Sequence, residues 1–244
     1  MHSLKLELVE YLSEFVTEKR LKLFQDVVSQ RTRFLSVVLE DVFNPHDASA
    51  VMRSCECFGV QDFHVISQRR PFLLSRGVAV GSSKWVSTRS YRKPDKDNTT
   101  ACLQGLKEAG YQIVAITSKG PPIHELPLEQ KTAVVFGSEE MGLSDEVYAQ
   151  ADATAGLPAD GFTQTFNISV CAALILSSLR TRLQASSQSW QLTEDEKTDL
   201  MLEWLAKMPR KIKLLISRFL VDRNLKAQDL VQAGLNRETT SLML

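Results

Sequence analysis

An α/β domain on a mostly parallel sheet, with helices at both ends of the chain, is the architecture this sequence predicts. Three observations carry it. Between residues 35 and 150 short apolar runs alternate with segments of helical period, the pattern of strands joined by crossover helices. On either side of that stretch the apolar residues fall at helical spacing, so both ends read as amphipathic helix. The 244 residues are 43% hydrophobic and 24% charged, enough apolar material for one large or two small domains, which excludes disorder, a collagen repeat and a disulfide scaffold.

In chain order, Leu4, Leu8, Leu12 and Phe15, then Leu21, Phe24 and Val28, give one packing face to a helical arm. FLSVVLE (34–40), VQDFHVI (60–66), YQIVAIT (111–117) and TAVVFG (132–137) read as strands. HDASAVMRSCECFG (46–59), TACLQGLKEAG (100–110) and SDEVYAQ (144–150) read as helices. A Gly-bearing loop after Leu157 leads into a long helix over about 167–188, and the serine-rich stretch 186–191 reads as a linker. Beyond it LTEDEKTDLMLEWLAKMPRKIKLLISRFL predicts two amphipathic helices separated by Pro209. The expected organisation is an arm over 1–34, the α/β domain over 35–188 and a helical extension over 189–244, with no repeat or low-complexity tract.

With 29 basic against 29 acidic residues, the chain has no global attraction for nucleic acid, and any such contact must come from local patches. Cys55, Cys57, Cys102 and Cys171 form no CxxC pair and have no histidines at ligand spacing. They read as small apolar fillers in a reducing compartment, with no metal expected. The N-terminal stretch is broken by Glu7, Glu10 and Glu14, and the apolar run 168–179 falls far short of the roughly 20 residues of a membrane span. A cytoplasmic protein is expected.

There is no GxGxxG after the first strand, no GxxxxGK[ST], no GxSxG and no HExxH, which disfavours ordinary dinucleotide, P-loop, hydrolase and zinc-protease sites. Three polar, glycine-bearing clusters remain, each at the end of a predicted strand, where open α/β sheets hold their sites. In the first, NPHDASAVMRSCECFGV (44–60), Pro45 and Asp47 mark a helix start, and Arg53 shares a face with Ala50 and Cys57. Arg53 is either an exposed surface arginine or a phosphate clamp, for which a planar guanidinium is suited. In the second, VVFGSEEMGLSDE (134–146), Gly137 and Gly142 flank Glu139 and Glu140: either a plain turn into a helix capped by Ser144, or a loop passing close to a ligand. In the third, GLPADGFTQTFNISVCAAL (156–174), Thr165 and Asn167 precede a helix of small residues, as caps or as ligand-facing groups beside unpaired amides.

The order and spacing of these clusters resemble the SpoU (TrmH) family of RNA ribose 2'-O-methyltransferases, a branch of the SPOUT superfamily. The Asn-x-x-x-x-x-Arg motif of that family is matched from Asp47 to Arg53, followed by Phe58, Gly59 and Val60. Its Phe-Gly-x-Glu motif is matched by Phe136, Gly137 and Glu139 with Gly142. Its third motif is matched loosely by Leu157, Pro158, Gly161, Thr165, Phe166, Asn167 and Ser169, and a lesser Gly-Ser-x-Lys-Trp motif stands at 81–85. The resemblance spans roughly 35–183, and the flanking helices look like those of the tRNA-modifying branch.

The resemblance implies a C-terminal deep trefoil knot, S-adenosylmethionine as cofactor, a homodimer, and structured RNA as substrate, with a D-loop guanosine of tRNA ahead of ribosomal RNA. It implies Arg53 as the catalytic arginine, with Glu139, Asn167, Thr165 and Asp47 around it. It also implies a cofactor pocket from Thr117, Gly137, Leu157 and Phe166. Two positions depart from the pattern: Asp47 stands for Asn and Thr165 for Ser. Both keep the local structure, but a carboxylate near an RNA phosphate is repulsive unless Arg53 or another cation offsets it. Candidate phosphate contacts are Arg31, Arg33, Lys84, Arg210 and Lys211. Two other readings stay open: a weakened knot protein that binds RNA as an assembly factor, and a nucleotide-binding oxidoreductase, which lacks the glycine fingerprint.

Overall fold

The β-branched run around Val37 and Val38 becomes the centre of the sheet. A computed structural model describes residues 2–69, 71–163, 165–208, 211–235 and 239–240. Its helices and strands, in order, are α1 (His2–Ser13), α2 (Glu18–Ser29), β1 (Thr32–Glu40), α3 (Pro45–Cys57), β2 (Val60–Ile66), α4 (Arg76–Ala79), β3 (Ser87–Tyr91), α5 (Asn98–Glu108), β4 (Gln112–Ile116), β5 (Thr132–Phe136), α6 (Asp145–Gln150), β6 (Ala153–Ala155), α7 (Ile168–Ala185), α8 (Glu194–Ala206), α9 (Ile212–Asp222) and α10 (Ala227–Gln232). Two compact units result, Thr32–Trp190 and a second formed by Met1–Arg31 with Gln191–Leu244.

The α/β unit is a six-stranded sheet in the order β3-β2-β1-β5-β4-β6. Each adjacent pair is parallel; Val37 of β1 lies opposite Phe63 of β2 and Val134 of β5. Strands buried on both faces need apolar residues at successive positions, and Leu35, Val37, Val38 and Leu39 are all fully buried. Val37 and Leu39 pack into the layer that holds α3 and α7. Val38 packs on the opposite face with Cys102 and Leu103 of α5 and Val147 of α6. β3 and β6 carried no apolar run: STRSY is half exposed at the sheet edge, and ATA is only three residues long.

In the second unit the N-terminal arm and the C-terminal extension, expected as separate flanks, fold together. The arm breaks into α1 and α2 where Thr17 caps α2, and both helices pack on α8. Phe24 meets Trp204 edge-on with ring centroids 5.6 Å apart, and Lys5 pairs with Asp199 at 2.6 Å. Thr193 and Glu196 close a capping box at the start of α8. Pro209 lies outside the described residues. Cys55 and Cys102 are buried as fillers, whereas Cys57 is exposed. Burial pushes the Cys102 thiol up to about 12 and that of Cys171 to about 11. Among the described residues no helix is long and apolar enough to cross a membrane.

Candidate functional site

Parallel strands deliver all their carboxyl ends to one edge of the sheet, so the segments after β1, β4, β5 and β6 converge there. α3 starts at that edge: Asn44 caps it by accepting from the His46 amide at 3.0 Å, with Pro45 in the first turn, where its missing N–H costs nothing. α7 starts there too, capped by Asn167, whose Oδ1 accepts from the Ser169 amide at 3.0 Å and from its hydroxyl at 2.6 Å.

The two helix starts are joined by side chains. Asn167 Nδ2 donates to Asp47 Oδ1 at 3.0 Å and to Glu139 Oε1 at 2.9 Å. Asp47 Oδ2 accepts from Asn44 Nδ2 at 2.5 Å, and Glu139 Oε1 also accepts from the Ile168 amide at 3.1 Å. Amide donors and carboxylate acceptors thus alternate through Asn44, Asp47, Asn167 and Glu139. The positive ends of the two helix dipoles lie under both carboxylates, so the pair of negative charges is held in place by amides.

Beside this chain opens a cavity of about 210 Å³. All four expected cofactor residues, Thr117, Gly137, Leu157 and Phe166, line it, together with Glu139 and Thr165. Its walls come from chain segments packed so closely that only glycine fits. A Cβ on Gly137 would lie 2.2 Å from the Gly142 carbonyl group, and one on Gly156 would lie 2.1 Å from the Thr117 carbonyl oxygen. The glycine loop closes on itself through Gly142 N–H to the Ser138 carbonyl at 2.9 Å. Its far end is pinned by Glu40, which sequence reasoning missed. The buried Glu40 carboxylate accepts from the Ser144 amide at 2.9 Å, the Ser144 hydroxyl at 2.8 Å and the Thr99 hydroxyl at 2.8 Å. As the last residue of an apolar strand, Glu40 carried no sequence signal beyond marking the strand end.

The residues fit an adenosyl sulfonium ligand by their chemistry. Leu157 and Phe166 offer apolar faces for a purine, the glycine loops bring backbone groups close, and the Glu139 carboxylate complements a positive sulfur. Whole-ligand sites usually span about 300–1,000 Å³, so such a ligand would occupy more than the cavity's 210 Å³. No group of three His, Cys, Asp or Glu side chains among the described residues is placed to hold a metal.

Arg53 stands apart. It is exposed on α3, does not line the cavity, and among the described residues bonds to no member of the cluster. Six residues of helical rise put it about 9 Å further along the axis than Asp47. The candidate RNA contacts divide. Arg31 requires a correction: it is 1% exposed, with its guanidinium 5.5 Å from the Trp204 ring, because an arginine stem and planar head pack well on indole inside the helical unit. Arg33 pairs with Asp62 at 3.2 Å. Lys84 and Lys211 are exposed, and Arg210 lies outside the described residues.

Comparison with known proteins bears on this geometry. Residues 35–177 match the model of the SpoU rRNA Methylase family. The chain is 37% identical to a Borreliella burgdorferi protein named tRNA (guanosine(18)-2'-O)-methyltransferase over 201 residues, 82% of this chain and 90% of that one. A Thermus thermophilus protein of the same name is 33% identical over 195 residues, covering 78% of this chain and 98% of its own. Among solved structures, the TrmH/SpoU tRNA modifying enzyme of A. aeolicus superposes with a TM-score of 0.68 at 29% identity, over 78% of this chain and 96% of that one.

Proposed function

The chain belongs to the SpoU rRNA Methylase family, and from that premise we propose that it methylates a ribose 2'-hydroxyl of tRNA with S-adenosylmethionine as donor. The proposed target is the guanosine numbered 18 in its relatives' names, the D-loop guanosine that the sequence resemblance implies, and the proposed compartment is the cytoplasm. Transfer RNA is favoured over ribosomal RNA because the likeness to the tRNA enzymes runs well beyond 35–177 into the flanking helices. The observation that carries the reading is the hydrogen bond from Asn167 to Glu139, which ties the start of α7 and Asp47 of α3 to the wall of the cavity.

When bound, S-adenosylmethionine supplies a methyl group on a positively charged sulfur, open to in-line attack by an oxygen nucleophile. Leu157 and Phe166 would cover the adenine, and Thr117 and the Gly137 loop would hold its edge through backbone groups. Glu139 attracts the sulfonium end and, through Asn167, holds the mouth of the cavity in register with α3. Thr165 offers its hydroxyl on the substrate side. Arg53 grips a substrate phosphate and stabilises the developing alkoxide; a guanidinium offers only N–H donors and no acceptor, so the proton leaves through phosphate or water. Because Arg53 sits away from the cavity of its own chain, a homodimer that supplies it from the second copy belongs to the same proposal. So does the deep knot, supported by the path from β6 at the sheet margin through the crowded Gly156 crossing back to α7 on α3.

The test is methyl transfer from labelled S-adenosylmethionine to unmodified tRNA and ribosomal RNA side by side. Alkali-resistant label at one tRNA ribose, abolished in Arg53→Ala and strongly reduced in Arg53→Lys, is expected. Near-normal turnover in Arg53→Lys refutes the guanidinium fork, and an unlabelled tRNA refutes the substrate.

A further inference from the structure

The zero net charge conceals a strong local imbalance. Residues 69–96 hold eight Lys or Arg against one acidic residue, Asp95. Most of that stretch runs through the β2–β3 crossover and β3, and it ends in the connection after β3, where Arg92, Lys93 and Lys96 are all exposed. None of the three has an ion pair among the described residues. The neighbouring Asp97 is occupied at the start of α5, accepting from the Thr100 amide at 2.9 Å and its hydroxyl at 2.6 Å.

This connection is tied down from beneath. Asn98, 4% exposed, accepts from the Lys93 amide at 2.8 Å and donates to the Lys93 carbonyl at 3.2 Å and to Gln68 Oε1 at 2.9 Å. Gln68 donates in turn to the Lys96 carbonyl at 3.2 Å. Its own amide and that of Arg69 donate to Asp41 Oδ1 at 2.8 and 3.1 Å. The segments after β1, β2 and β3 therefore form one hydrogen-bonded frame beneath three charged side chains. A frame of this kind fixes the backbone from which the three cations project, which lowers the ordering cost of binding an anion there.

The frame stands at the carboxyl edge of the sheet, the edge that also holds the Gly137 loop. β3 is three strand spacings from β5, about 14 Å at ~4.8 Å each. Along a stacked RNA strand that is about four nucleotides at ~3.4 Å. We infer that Arg92, Lys93 and Lys96, on the frame built by Asp41, Gln68 and Asn98, form a shelf that grips the phosphodiester backbone of the RNA flanking the modified ribose. The inference rests on the function proposed above and adds a surface to it. The shelf positions the substrate and carries no base readout, since compact cations on phosphates do not distinguish sequence.

The test compares the wild-type chain with Arg92→Gln/Lys93→Gln/Lys96→Gln, measuring tRNA-transcript affinity from low to moderate salt and KM for tRNA. Thermal shift by S-adenosylhomocysteine monitors the fold and the pocket in both. The expected result is a higher KM for tRNA and a loss of about two to three from the slope of log affinity against log salt, at ~0.7–0.9 per phosphate released. The inference is overturned if the triple variant keeps the wild-type slope and KM, or if wild-type binding is itself insensitive to salt. Wild-type protein that binds tRNA with the expected slope difference but transfers no methyl group leaves the shelf standing and removes the methyltransferase reading.

Discussion

Two glycines of the same loop should respond to alanine very differently. At Gly137 an added Cβ would sit 2.2 Å from both the carbonyl carbon and oxygen of Gly142 and 2.5 Å from the Leu143 nitrogen. These are backbone atoms of a turn closed by the Gly142 to Ser138 hydrogen bond, so no side-chain rotation relieves the overlap. Restoring ordinary contact near ~3.5 Å moves the turn by about 1 Å. Overpacking of this kind costs typically about 1–3 kcal/mol, and a backbone obstacle puts Gly137→Ala near the upper end. At Gly142 the backbone is left-handed, with φ +67°, but nothing lies within 4 Å. Alanine there meets only the conformational penalty, about 1 kcal/mol. Both residues line the cavity, so displacement of the turn appears as lost ligand affinity. Chemical denaturation should show a loss of about 3 kcal/mol for Gly137→Ala and about 1 kcal/mol for Gly142→Ala, and calorimetric titration with S-adenosylhomocysteine should show the larger loss of affinity for Gly137→Ala. Equal losses, or a larger loss at Gly142, would refute the packing argument.

Further predictions concern charge. Asp47→Asn leaves one carbonyl oxygen where two amides now donate, so one bond is lost and stability should fall by about 1 kcal/mol in thermal denaturation. The same variant removes a negative charge from the substrate edge, so tRNA affinity should rise; an unchanged or weaker affinity contradicts that assignment. His64 is buried against Tyr91, and desolvation pulls its pKa down to about 4, with Arg89 adding to the shift and Asp62 opposing it. Below pH 6.5 the unfolded chain takes up a proton that the folded chain refuses until about pH 4. Stability should therefore decline by about 3 kcal/mol as pH falls through that window. His64→Gln should flatten this part of the stability profile, and an equally steep decline would rule His64 out as its source. Arg31→Ala should lower the melting temperature, since the cation–π contact with Trp204 contributes about 0.5–2 kcal/mol, and should leave the salt dependence of RNA binding as it was.

What the sequence disclosed follows from how burial is written into it. β1, β2, β4 and β5 lie inside the sheet, so their apolar runs are visible without any knowledge of partners. β3 forms an edge and reads STRSY, and nothing local separates it from a loop. Helix starts were legible because caps are local: Ser144 before α6 and Asn167 before α7 each announce a helix within four residues. The union of the two chain ends was not, because Lys5 finds Asp199 across 194 positions. Arg31 failed for the same reason. A basic residue after a helix reads as surface until Trp204, far along the chain, is seen beneath it.

The departure at Asp47 shows where the physical reading of the sequence was incomplete. A carboxylate facing RNA phosphates is repulsive unless a cation offsets it, Arg53 on the same helix or another. Within one chain no bond joins Arg53 to Asp47 among the described residues. Amide hydrogens do the work instead: Asn44 Nδ2 at 2.5 Å and Asn167 Nδ2 at 3.0 Å, with the N-terminal end of α3 adding its dipole. Charge-assisted bonds from neutral donors hold the carboxylate in place without consuming a guanidinium. Among the described residues the Arg53 guanidinium is therefore not engaged by Asp47, and Asp47 at the family's asparagine position is compatible with the phosphate-gripping role proposed for Arg53.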